Sequence, residues 1–296
     1  MTWAHPTTGV AAHCAPSTLI DPFAGIEGLR DLLDAGFVVA ATDYPGMGVP
    51  GPNIYLIGEV EGHSVLDAAR AAENLTDSGA GNDVLGWGHS QGGQAALFAA
   101  QLAPTYAPDL DFLGVAVAAP AVELGALVDD HQDDVSGVTI GSYTLDAYSS
   151  AYGQPNQPIS LEGTVQPAGI PVVSEIVERC LLTENAAIRK IADPVVGRFF
   201  AVDVGTTEPW SSLLAENTPG AVPIGVPMFI AQGQADKLVE PATTANYVQQ
   251  LCAAGEHVQF DPVADVTHGG IALNAAPKVA TWMSDLVAGR TVPDTC

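Results

Sequence analysis

Basic residues are scarce in this chain. Nine lysines and arginines stand against 34 acidic residues, a formal charge of −25 over 296 residues. A surface so poor in cations repels phosphate backbones and anionic membranes, which argues against a polyanion partner. Cysteine is sparse too: Cys14, Cys180, Cys252 and Cys296, with no C-x-x-C pair, so neither a zinc site nor a dithiol redox site is expected. No long apolar run is present. The most apolar stretch, FLGVAVAAPAVELGALV (112–128), is broken by Pro120 and Glu123 and falls short of the roughly 20 residues of a membrane span. The start, MTWAHPTTGV, has neither the basic region nor the apolar stretch of a signal peptide. Repeats and low-complexity tracts are missing as well.

What is present suits a large buried core. The chain is 47% hydrophobic, and its glycines and prolines are spread along it rather than gathered in a linker. An even number of widely spaced cysteines suits two long-range disulfides and an exported protein, with four buried thiols as the alternative.

The pattern alternates strands and helices. TWAH (2–5) reads as the end of a strand, IEGLRDLLDAG (26–36) as a one-faced helix closed by Gly36, and FVVAATDY (37–44) as a buried strand. YPGMGVPGPN (44–53) is turn-rich, and HSVLDAARAAENL (63–75) has helical spacing. DVLGWGHS (83–90) is a strand, QGGQAALFAAQLAP (91–104) a helix stopped by Pro104, and FLGVAVAAP (112–120) another buried strand. Between 122 and 222 clean strands are lacking, and at least one helix is expected, around 174–193. The alternation resumes with a strand at 226–233, a helix at 242–255, a strand at 257–265 and a final helix at 278–289. Such alternation predicts a parallel sheet covered on both faces, an α/β fold. Residues 1–121 and 223–296 would form the core, and 122–222 an inserted cap over the strand ends.

GWGHSQGG (86–93) is a G-x-S-x-G match in its required setting: a buried strand, a tight turn and a helix, with small residues where strand and helix must approach. Ser90 is the candidate nucleophile. A serine hydroxyl needs a base to take its proton, and in this arrangement an acid and then a histidine follow the serine in the chain. That leaves His131, His257 and His268. His131 lies in DDHQDD and reads as a solvated part of the cap. His257 opens a strand. His268, in a loop between the last strand and the last helix, is favoured. Asp236, just after the strand ending at Gly233, is the candidate acid, and Asp265 its competitor, read as a turn residue. The backbone N–H of Gln91 is expected to be one oxyanion donor. The loop HPTTG (5–9) follows a strand and offers the other. Pro6 has no N–H, so Thr7 is preferred and Thr8 is second; the Thr7 hydroxyl could add a donor.

WAHPTTGVAAHCAPS, VVAATDYPGMGVPGPN, GEVEGHSVLDAAR, GWGHSQGGQAALFAA, GQADKLVEP and the C-terminal Cys296 together resemble the bacterial branch of the secretory (lipase A-like) lipases. The resemblance covers nearly the whole chain and is weakest across 122–222. It implies an α/β-hydrolase with a helical cap, acting on carboxylic esters through an acyl-enzyme without metal or organic cofactor. It also implies a triad of Ser90, Asp236 and His268, oxyanion donors at Thr7 and Gln91, and disulfides Cys14–Cys180 and Cys252–Cys296. A secreted or periplasmic location follows from the same likeness. Two departures stand out. His5-Pro6-Thr7 replaces the family's usual His-Gly-Thr. The family's first strands are also expected to be missing, which would leave 37–44 as a sheet edge open to pairing in a homodimer.

Other readings share the motif. A serine peptidase or acyltransferase would use the same residues, and a non-catalytic binding protein would keep only the fold. Six aromatics of the cap, Tyr143, Tyr148, Tyr152, Phe199, Phe200 and Trp210, are expected either to line an acyl pocket or, more commonly, to form the cap's own core.

Overall fold

A computed structural model describes residues 1–154 and 158–296. In chain order the elements are β1 (Thr2–Ala4), α1 (Leu29–Asp34), β2 (Ala40–Thr42), α2 (Gly58–Asn74), β3 (Asp83–His89), α3 (Gln91–Tyr106) and β4 (Asp111–Ala118). Five helices follow: α4 (Leu124–Asp130), α5 (Val135–Ala151), α6 (Ile170–Ile176), α7 (Asn185–Ala192) and α8 (Trp210–Glu216). The chain ends with β5 (Met228–Gly233), α9 (Pro241–Ala253), β6 (Val258–Val263) and α10 (His268–Val287).

The six strands form one sheet in the order β2-β1-β3-β4-β5-β6, and every neighbouring pair is parallel. Period-two alternation divides the strand residues between two cores. Val84, Val115, Val117, Met228 and Ile230 join Val65 and Leu66 of α2 and Leu97 of α3 on one face. Leu85, Trp87, Ala116, Phe229 and Ala231 join Leu32 of α1 and Ile271, Val279 and Trp282 of α10 on the other. Both faces are thereby covered, as a parallel sheet requires. This is the α/β-hydrolase architecture that the sequence pattern and resemblance led us to expect.

Several boundaries differ from the sequence reading, each for a local reason. α3 runs through Pro104 to Tyr106. A proline there forfeits one hydrogen bond, and burial of Ala99, Ala100 and Ala103 in the core carries the helix past it. α10 begins at His268, ten residues before the expected start, with Gly269, Gly270 and Pro277 inside it. Those three residues are helix breakers by propensity, and packing of Ile271, Ala272 and Ala275 in the core overrides them. His268 is therefore the first residue of a helix rather than a loop residue. The helical stretch expected around 174–193 is divided between α6 and α7. Between them Leu182 takes φ +75°, the N–H of Cys180 is held by the Glu184 carboxylate at 2.9 Å, and Cys180 is bonded to Cys14. α5 was not foreseen: VSGVTIGSYTLDAYSSA is rich in β-branched and small polar residues, whose intrinsic helix preference is low.

Both disulfides have formed as the resemblance implied, Cys14–Cys180 and Cys252–Cys296. The first joins the segment after β1 to the α6–α7 connection, across 166 residues of sequence. β2 lies at the sheet edge, paired with β1 alone among the described residues. No helix among the described residues is long and apolar enough to cross a membrane.

Candidate active site

β3 ends at His89 and α3 starts at Gln91, so Ser90 alone makes the turn. Its backbone sits at φ 57°, ψ −117°, a conformation that costs a non-glycine residue of order 1–3 kcal/mol. The surroundings hold it there. The Ser90 N–H donates to the Ala118 carbonyl at 3.0 Å, and the Ser90 carbonyl accepts from Gly93 at 2.9 Å and Ala121 at 2.9 Å. The two motif glycines answer to close backbone contacts. A Cβ on Gly88 would lie 2.0 Å from the Gly92 carbonyl oxygen, and one on Gly92 only 1.9 Å from that of Ala4. The second contact sets the end of β1, and the loop that follows it, directly against the start of α3.

Asp236 stands in the turn after β5 with its side chain fully buried. Its Oδ1 accepts the N–H groups of Leu238 at 2.8 Å and Val239 at 3.0 Å. Its Oδ2 lies 2.8 Å from Nδ1 of His268 and accepts from Gln232 at 3.2 Å. Burial opposes ionisation of Asp236, but the His268 imidazole and the two backbone N–H groups outweigh it and hold the carboxyl below the usual carboxylate range. An ionised Asp236 requires the proton on Nδ1 of His268, which leaves Nε2 as the free acceptor.

Ser90 and His268 line the same cavity of about 300 Å³, together with Leu124, Leu127, Ile140, Leu181, Phe200 and Leu214 from the segment between β4 and β5. Ser90 Oγ makes no hydrogen bond to His268 among the described residues. Such bonds are commonly loose until substrate is bound. Thr7 borders the cavity, and neither its backbone N–H nor that of Gln91 donates to another group among the described residues. The Thr7 hydroxyl is engaged: it shares a 2.8 Å hydrogen bond with the Tyr55 hydroxyl. The Thr8 hydroxyl is buried without a partner.

The competing candidates lie elsewhere. Nε2 of His257 donates to the Pro293 carbonyl at 3.1 Å, near the C-terminus. Asp265 sits in a turn at φ 58° and is not paired with His268. His131 departs from its sequence reading. It is buried, not solvated, and lines the cavity, with Nδ1 2.7 Å from Asp134 and Nε2 donating to the Leu238 carbonyl at 2.7 Å. Burial works against a charged ring, but these two acceptors outweigh it and hold the imidazole above the ordinary histidine range. Of the six cap aromatics, Phe200 alone borders the cavity. Tyr143, Tyr148, Phe199 and Trp210 are buried in the hydrophobic cluster that also holds Val65, Leu97 and Val115.

Three neighbours were not singled out in the sequence. Glu27 bonds Nδ1 of His89 at 2.6 Å, and the His89 ring lies 4.9 Å from that of His268. Nothing local in IEGLRDLL distinguishes Glu27 from a surface carboxylate. Glu61, fully buried, accepts from the Gln91 side chain at 2.7 Å. A signal existed there: Glu61 shares the stripe 61, 65, 69 with Val65 and Ala69 on the buried face of α2. Among the described residues the only cluster with metal-ligand spacing is His13, Cys14 and Cys180, and its two sulfurs are joined in a disulfide.

Comparison with known proteins bears on this geometry. The family model for secretory lipases matches residues 25–294. A secreted triacylglycerol lipase of Malassezia globosa is 26% identical over 90% of this chain and 57% of its own length. A Mycobacterium tuberculosis protein described as a probable inactive lipase is 25% identical over 79% of this chain and 52% of its own. The chain thus spans little more than half the length of these curated relatives. The crystal structure of Candida antarctica lipase A in its closed state superposes with a TM-score of 0.76 at 20% identity, over 100% of this chain and 71% of that one, a likeness of fold. Fungal and bacterial proteins both stand among these relatives, so the likeness is to the family as a whole.

Proposed function

This chain belongs to the secretory lipase family, and from that premise we propose that it hydrolyses carboxylic esters through an acyl-enzyme on Ser90. The observation that carries the reading is a strained serine facing an apolar cavity beside a histidine whose other nitrogen is held by a buried aspartate.

The chemistry follows from the groups present. Ser90 Oγ attacks the ester carbonyl carbon while Nε2 of His268 takes the hydroxyl proton. Asp236 keeps that proton flow on one tautomer and stabilises the imidazolium. The N–H groups of Thr7 and Gln91 receive the oxyanion; one such donor is worth about 10²–10³ in rate. The tetrahedral adduct collapses, the C–O bond to the alcohol breaks, and the imidazolium returns its proton to the departing alkoxide. Water then repeats the sequence on the acyl-enzyme, and the acid leaves. Pro6 withdraws one potential donor from the loop, so Thr7 carries that side alone.

Residues 122–222 act in this reading as the cap, supplying the apolar wall for the acyl chain. Ester rather than amide cleavage is favoured by the family. The family's secreted members and the two disulfides support a secreted or periplasmic location. The segments quoted above favour the bacterial branch, and a tree of family members would test that placement. Pairing of two copies through the β2 edge is proposed on the openness of that strand; a monomeric mass by light scattering at micromolar concentration rejects it.

The test of the activity is hydrolysis of p-nitrophenyl esters from two to sixteen carbons, with labelling by a fluorophosphonate probe. The expected result is turnover and labelling that Ser90→Ala abolishes while the circular dichroism spectrum is retained. Turnover surviving in Ser90→Ala would falsify the assignment. Absence of both turnover and labelling in the parent chain would favour a non-catalytic role, as the name of the mycobacterial relative describes for that protein.

A further inference from the structure

One short stretch of chain grips both residues assigned to the oxyanion. Just before α2, the Tyr55 hydroxyl shares its hydrogen bond with Thr7. One turn into α2, Oε1 of Glu61 accepts from Nε2 of Gln91 at 2.7 Å. Leu56 lies between them at φ +56°, and its N–H donates to the same Glu61 oxygen at 2.9 Å. Tyr148 of α5 closes the frame by donating to the Leu56 carbonyl at 3.0 Å.

Glu61 is fully buried, and no cation is among its hydrogen-bond partners. A carboxylate in that position would pay heavily for lost hydration. Its second oxygen, Oε2, has no partner among the described residues, and neither has Oε1 of Gln91. If Glu61 were ionised, neither atom would meet a protein donor among the described residues. The neutral acid replaces one of the two acceptors with an O–H donor. A void of about 10 Å³ lined by Tyr44, Tyr55, Glu61 and Gln91 adjoins them, close to the space one water needs.

We propose that Glu61 is a positioning residue for the oxyanion site: through the Gln91 side chain it fixes the first residue of α3, whose backbone N–H faces the developing charge. The proposal rests on the assignment of Gln91 to the oxyanion site above. A purely structural role would make Glu61 one more satisfied polar group in the core. The orphaned pair of acceptors and the placement directly behind Gln91 argue for more than that.

The role depends on protonation. Burial pushes the Glu61 carboxyl up to about 8, against the opposing pull of the hydrogen bonds from Gln91 and Leu56. Below that pH the group is neutral and leaves the oxyanion field undiminished. Above it a buried negative charge stands behind the donor and opposes the charge that forms in the transition state. The titratable groups facing Glu61 do not mask this. Tyr44 before the turn-rich loop, Tyr55 ahead of α2 and Tyr148 on α5 are all held neutral by burial. His5, after β1, stacks on Tyr44 at 4.4 Å and is also kept neutral by burial, with Asp43 beyond it. α3 presents the uncharged Gln91 and Gln94. On α2 itself, His63 stacks on Tyr106, and Glu59 is exposed.

The experiment follows kcat and KM for a soluble short-chain p-nitrophenyl ester across neutral to alkaline pH in the parent chain, Glu61→Gln and Glu61→Ala. The parent kcat is expected to fall as pH passes about 8, with KM steady. Glu61→Gln, which mimics the neutral acid, is expected to lose that alkaline limb. Glu61→Ala is expected to lower kcat about tenfold below that pH, since it releases the Gln91 side chain, and to lack the alkaline limb as well. An alkaline limb in Glu61→Gln identical to that of the parent overturns the proposal, as does a change in KM alone. Should Glu61→Ala not fold, the glutamine variant decides the matter by itself. Fluorophosphonate labelling separates the two readings. A labelled parent and glutamine variant with the same limb reject the Glu61 role only, whereas an unlabelled, inactive parent rejects the assignment of Ser90.

Discussion

Nδ1 of His268 lies 2.8 Å from Oδ2 of Asp236, although 31 residues and the whole of α9 and β6 separate them in the chain. The contact fixes the imidazole tautomer, because the carboxylate, held ionised against burial by His268 and by its two backbone donors, can only accept. Asp236→Asn keeps the shape but offers either an N–H or a carbonyl to the ring, and so admits the wrong tautomer. We expect kcat for a p-nitrophenyl ester to fall about 10⁴-fold, with KM within a few-fold of the parent. A loss of less than tenfold assigns the acid elsewhere.

Phe199 and Phe200 are adjacent in sequence and stand in different environments. Phe199 is fully buried in the hydrophobic core, while Phe200 borders the cavity. Phe199→Ala is expected to cost about 3–5 kcal/mol of stability, read from denaturant unfolding. Phe200→Ala is expected to leave stability nearer the parent and to shift preference towards longer or bulkier acyl chains. Equal chain-length profiles for the parent and Phe200→Ala would remove Phe200 from the acyl wall.

His131 latches the α4–α5 connection to the loop that carries Asp236, through Asp134 and the Leu238 carbonyl. Its folded pKa is raised, so the stability it contributes is fully present below the ordinary histidine value and is lost as pH rises through the folded one. Asp134 is shifted the other way, held below its ordinary range by His131 and the Gly137 N–H against the opposing effect of burial. Its contribution is present above the ordinary aspartate value and fades as pH falls through the folded one. The latch is therefore strongest in the window between the two. The melting temperature of the parent should exceed that of His131→Gln most at mildly acidic pH, and the gap should close towards alkaline pH. A gap that stays constant across that range would show that His131 is neutral in the folded state.

The site was legible where its chemistry is local. A nucleophile turn needs a strand, a strained residue and a helix within a dozen positions, and GWGHSQGG with its flanks supplies all three. Asp236 and His268 were ranked above their rivals by chain order and by the ends of neighbouring elements, both of which a parallel sheet constrains. His131, Glu27, Glu61 and the helix α5 escaped. His131 sits in an acidic run that looks solvated until Leu238, 107 residues on, supplies an acceptor. Glu27 meets His89 across 62 residues. α5 has weak helical preference and is stabilised by burial of Val138, Tyr143, Leu145 and Tyr148 in the shared core.

The sequence by itself determined the alternation of strands and helices, the turn at Ser90 and the glycines beside it, because each follows from side-chain period or from backbone sterics over a few residues. The tertiary structure alone decided which groups share the cavity and which of them are charged there. Those outcomes depend on which distant side chains arrive at one place and how much water they exclude. A carboxylate in a helix pattern reads the same whether it faces solvent or stands, like Glu61, buried behind the first residue of α3.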